Sequence, residues 1–75
     1  MFRTFSGAHL RAARLNAGLK PEQLALRVDR SVWSIHVYER GAAAPSAAVL
    51  GALADSLGCR IDDLYAREAV ANDAA

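Results

Sequence analysis

Apolar residues recur at helical spacing in five stretches of the chain, each bounded by residues that start or stop helices. In the first, about 7–16, Leu10, Ala13 and Arg14 share one face, Ser6 stands ahead as a cap, and Gly18 lies just past the end. The second runs about 21–28. Pro21 at its first position costs nothing, because the first helical N–H has no partner within the helix. Asp29 and Arg30 form a tight polar turn, and a third stretch, about 32–40, opens on the cap Ser31 and stops at Gly41. Ser46 caps the fourth, about 47–57, which Gly58 ends. A short fifth, about 61–66, carries Asp62 and Asp63 in its first turn, where carboxylates meet the positive end of the helix dipole. No segment reads as a strand, a repeat or a second domain. The pattern predicts an all-α fold, a compact five-helix bundle over 7–66, with 1–6 as an N-terminal arm and 67–75 as a flexible tail of mostly small residues with little to pack.

A chain of 75 residues supports one domain with a core only just large enough to fold unaided. Much of its apolar content is alanine, which lets helices approach closely. Burial is therefore expected to fall on Leu10, Leu15, Leu19, Leu24, Val28, Ile35, Leu50, Leu53, Leu57, Ile61 and Leu64. Cys59 is the only cysteine, and neither a signal-peptide core nor a long apolar run is present, so a reduced cytoplasmic setting without membrane contact is expected. A net charge of +1 neither demands nor forbids a nucleic-acid partner; the distribution of the charges has to decide. His9 and His36 fall on different helices and Cys59 in a loop, without metal-ligand spacing. Adjacent Asp62 and Asp63 point in different directions on a helix, unlike a catalytic pair. No nucleophile-and-base order, phosphate-binding glycine loop or nucleotide fingerprint occurs, so no enzyme activity, cofactor or metal is expected. Cys59 reads as a small, partly buried apolar residue, with redox sensing as the alternative.

Two short helices joined by a tight polar turn read as a helix-turn-helix. Taken together, LRAAR, AGLKPEQLA, SxxSIxxYERG, PS, LxxLADSLG and IDDLY make the chain resemble, from Ala8 to Tyr65 without a gap, the Cro and phage-repressor type of helix-turn-helix, the xenobiotic-response-element family of bacterial transcription regulators. The resemblance implies that the third helix enters the major groove of double-stranded DNA. Val32, Trp33, Ser34, His36 and Val37 would then face base edges, and Lys20, Arg30, Arg40 and Ser46, with Pro21 beside them, the phosphates. It also implies a partly buried salt bridge between Arg14 and Glu39, and a small residue, Ala25, where the second and third helices cross. A weak homodimer on paired half-sites follows, with Leu64, Tyr65, Arg67 and Val70 as the candidate surface.

The chain departs from that pattern in several places. Asp29 stands where the turn usually holds glycine, and aspartate tolerates the left-handed conformation better than most residues. Arg30 replaces an apolar residue and is expected to lay its stem over the core with the guanidinium outward. Pro21 replaces a frequent glutamine and removes a donor from a phosphate-facing position. The linker residues Ala42, Ala43 and Ala44 carry no charge, which leaves Lys20, Arg27, Arg30 and Arg40 as the basic footprint. On the third helix Val32, Trp33 and Val37 occupy positions where arginine, glutamine or asparagine would grip bases, although apolar groups do read thymine methyls. The same apolar face suits a second reading, a protein-interaction module such as an antitoxin-like or accessory subunit.

Overall fold

The first turn of a helix leaves backbone N–H groups unpaired, and the side chain just ahead decides whether the helix starts cleanly. In the computed structural model, which describes residues 3–67, four α-helices form: α1 (Gly7–Asn16), α2 (Pro21–Val28), α3 (Val32–Glu39) and α4 (Ala47–Leu57). The hydroxyls of Ser6, Ser31 and Ser46 accept from the N–H groups of His9, Ser34 and Val49 at 3.1, 3.1 and 3.3 Å. At α2 the Gln23 side chain accepts from the Lys20 N–H at 2.8 Å. The Lys20 ammonium has no lone pair with which to return the bond. Asp29 ends α2 in the left-handed conformation, φ 56°, and the Arg30 N–H donates to the Ala25 carbonyl at 3.0 Å, so α3 begins only three residues later.

α3 packs across α1 and α2, and α4 closes the other side of α2. Leu10, Leu24, Ile35, Leu53 and Leu64 meet in the centre with no exposed surface. Leu50, Val28 and Val49 extend this core, and Ala25 and Ala54 keep the helices close. Arg14 reaches into its edge. Its Nε donates to Glu39 Oε2 at 2.7 Å, its Nη2 to Oε1 at 3.1 Å and its Nη1 to the Leu19 carbonyl at 3.0 Å. Both side chains are only 7% exposed. The hydrogen bonds to Glu39 outweigh desolvation and push the guanidinium above the usual arginine range.

The fifth helix is corrected by the structure. Residues Ile61–Leu64 form a 3-10 helix, and Tyr65 turns extended at φ −111°, ψ 143°. Tyr65–Arg67 then form a strand, β2, antiparallel to β1 (Arg3–Phe5), with Arg3 opposite Arg67, Thr4 opposite Ala66 and Phe5 opposite Tyr65. The fold is therefore mostly helical with a small two-stranded sheet. What diverts the chain is a partner distant in sequence: the Phe5 and Tyr65 rings pack edge to face at 6.4 Å, and the Ser6 N–H donates to the Leu64 carbonyl at 2.8 Å. Part of the expected arm is thus strand, as is Arg67 from the expected tail, whereas Val70 lies outside the described residues.

Leu15 and Ile61, expected in the core, are 53% and 44% exposed. The buried positions of α1 are Gly7, Leu10 and Arg14, and Leu15 follows Arg14 by about 100° around the helix. In the 3-10 helix only Leu64 is buried. Leu64, proposed from the sequence for a dimer surface, is unavailable to one because it is fully enclosed by its own chain.

Candidate nucleic-acid interface

α3 has eight residues, and packing consumes most of them. Ile35 is in the core, Val32 and Tyr38 pack against it, and Glu39 is held by Arg14. Ser34 is half-buried, with its hydroxyl 3.1 Å from that of the cap Ser31. Val37 is only 8% exposed, and the helix closes just after it, where Gly41 turns left-handed and the Ala42 N–H donates to the Val37 carbonyl at 3.1 Å. The expected base-facing set is therefore narrowed, with Val37 offering little surface and Val32 and Ser34 only part of theirs. The exposed row is Trp33, 69% exposed, then His36, then Arg40 at the helix end, spaced so that all three share one face.

Arg11 of α1 faces this row. Together with Trp33, His36, Glu39 and Arg40 it lines an open cleft of about 450 Å³. The Glu39 carboxylate is already neutralised by Arg14, and neither Arg11 nor Arg40 makes an ion pair among the described residues. The cleft is accordingly electropositive with one aromatic wall. Sequence reasoning missed Arg11, because α1 carries two arginines three residues apart and only the tertiary packing separates the one committed to Glu39 from the one turned toward α3.

The other basic positions are arranged unevenly. Lys20 is exposed at the start of α2, where Pro21 supplies no donor and the N–H groups of Glu22 and Gln23 have no acceptor among the described residues. Arg30 is exposed, and its Nη1 donates to the Asp29 carbonyl at 2.9 Å. Arg27 instead reaches toward α4, where its Nη1 donates to the Ser56 carbonyl at 3.4 Å. The Ser46 hydroxyl accepts from Val49, which leaves its hydrogen free to donate to an anion. Of the proposed dimer residues, Tyr65 is half-buried against Phe5 and Arg67 is exposed on β2.

Chemistry elsewhere is sparse. His9 Nδ1 lies 3.1 Å from the Tyr65 carbonyl, far in the chain from His36 on α3. Among the described residues no group of three or more His, Cys, Asp or Glu side chains could hold a metal ion, and no helix is long and apolar enough to cross a membrane. Burial, with Asp63 nearby, pushes the Cys59 thiol up, which disfavours the reactive thiolate.

Two helices set about a left-handed turn, with the second presenting an aromatic and cationic row beside an electropositive cleft, define a helix-turn-helix DNA-binding protein of the Cro and repressor type. The chain belongs to the helix-turn-helix family: the family model described as a helix-turn-helix domain matches residues 7–67. Among solved structures, the P22 c2 repressor in complex with a synthetic operator is 30% identical, with a TM-score of 0.76 over 81% of this chain and 92% of that one. The restriction-modification controller protein C.AhdI from Aeromonas hydrophila is 29% identical, with a TM-score of 0.73 over 77% and 88%. The clp gene regulator ClgR from Corynebacterium glutamicum is also 29% identical, with a TM-score of 0.74 over 77% of this chain, which spans 62% of the length of ClgR. No curated protein matches the chain in sequence.

Proposed function

We propose that this chain is a sequence-specific regulator of transcription that works on double-stranded DNA in the cytoplasm, with α3 in the major groove. The observation that carries the reading is the row Trp33, His36 and Arg40, exposed on the second helix of the motif while its neighbours are consumed by packing. In this reading Trp33 makes apolar contact with thymine methyls, His36 hydrogen-bonds to base edges, and Lys20, Arg30, Arg40 and the Ser46 hydroxyl hold phosphates. Val32, Ser34 and Val37 contribute through whatever surface they retain. Two copies bind paired half-sites, with Tyr65 and Arg67 at the dimer surface, since a single small module with a modest basic footprint reaches specific affinity by pairing.

Trp33 is the only tryptophan and reports on this face directly. The free protein should show the emission of a solvated indole that iodide quenches readily. Target DNA should change the intensity and protect the ring. Trp33→Ala should cost about 1 to 3 kcal/mol in specific binding, measured by titration, and under about 1 kcal/mol in folding stability. Emission that is already blue-shifted in the free protein and indifferent to DNA would remove Trp33 from the reading face. Capture of a protein partner by the same face without DNA retention would favour the interaction-module reading.

A further inference from the structure

We propose that Arg11 of α1 and Arg40 at the end of α3 close on one backbone phosphate of the duplex, so that the cleft between the two helices is a phosphate clamp. This rests on the DNA-reading function above and adds a contact from outside the helix-turn-helix pair. Both arginines line the same cleft, so an anion entering it comes within reach of both side chains. The only carboxylate in the lining is Glu39, and its two oxygens accept from Arg14 at 2.7 and 3.1 Å. It therefore cancels Arg14 and leaves the charges of Arg11 and Arg40 uncompensated. Two planar guanidinium forks suit the tetrahedral oxygens of a phosphate, for which arginine is better shaped than lysine. The rest of the lining is His36 and the exposed indole of Trp33, whose ring is the apolar wall of the cleft. An isolated anion would leave that wall in water, whereas a duplex that seats its phosphate in the cleft covers the ring with the neighbouring thymine methyls and sugar. A DNA backbone is thus favoured over a free phosphate.

The test is the salt dependence of binding to a short mixed-sequence duplex, because each phosphate neutralised contributes about 0.9 to the slope of log affinity against log salt. Arg11→Gln and Arg40→Gln should each weaken binding about five- to tenfold but flatten the slope by well under one unit, because the arginine that remains still neutralises the phosphate. The double variant should bind more weakly than either single and flatten the slope by about one unit in all, since both arginines serve the same phosphate. The thermal midpoint of Arg11→Gln should match that of the unsubstituted chain, because the side chain is exposed and makes no ion pair among the described residues. A double variant that loses two units would place the arginines on separate phosphates and overturn the clamp. An Arg11→Gln variant with unaltered affinity and slope would overturn it as well. If the unsubstituted chain retains no duplex at low salt, the DNA-reading function itself fails, and the clamp with it. That outcome is visible before any variant is compared.

Discussion

Gly7→Ala is expected to cost the fold on the order of 3 kcal/mol or more, and so to lower the thermal midpoint by roughly 12 to 24 °C. A Cβ built on Gly7 would sit 2.3 Å from the Tyr38 carbonyl oxygen and 2.4 Å from that of Glu39. Both obstacles are backbone at the end of α3, so no side-chain rotation relieves the clash. The start of α1 would have to lift away from α3, opening the packing around Leu10 and spreading the cleft between Arg11 and Arg40. A domain of this size has about 4 to 11 kcal/mol to lose in total. Gly51→Ala is the matched control. Gly51 lies inside α4 with nothing within 4 Å of the added carbon, so alanine there should stabilise by about 0.5 to 1 kcal/mol. Urea unfolding of the two variants checks the opposite signs. Equal effects would mean that α1 and α3 are not in close backbone contact.

The second large effect concerns Arg14 and Glu39. Each is almost fully enclosed, and removing either leaves a buried charge without its partner, so Arg14→Ala and Glu39→Ala should each destabilise by about 3 to 5 kcal/mol. The double alanine variant should lose less than the sum of the two. Replacing the pair together by methionine and leucine should recover most of the loss, since desolvating two charges nearly offsets their attraction. Recovery should stop short by about 1 kcal/mol, because the Leu19 carbonyl loses the donor it has from Arg14. Strictly additive losses in a double-mutant cycle would show that the two side chains do not act as a unit.

The helices were legible in the sequence because their determinants are local. Ser6, Ser31 and Ser46 cap, Asp29 and Gly58 stop, and leucines recur at helical spacing, all within a few residues of where they act. The terminal sheet was not legible. Three-residue strands carry no readable alternation, and β2 exists only because Phe5, sixty residues earlier in the chain, supplies a ring for Tyr65. The same distinction governs the site. The resemblance to the repressor family assigns Trp33 and Arg40 to the DNA-facing side, and both are exposed on α3 or at its end. The fully buried position of Leu64 and the approach of Arg11 from α1 depend on contacts between segments distant in sequence. Gly7 is a further instance, since a glycine opening a helix looks unremarkable until α3 is seen lying against it.

The most direct test of the central claim is a selection of pooled DNA fragments by the folded chain in the presence of excess non-specific competitor. A subset of fragments should resist competition and share a thymine-containing half-site in two copies, spaced by one helical turn or a multiple of it. A chain carrying Trp33→Ala together with His36→Ala should lose that preference while still holding DNA weakly at low salt. Retention of every fragment alike, or of the same subset by the doubly substituted chain, would contradict sequence reading by α3.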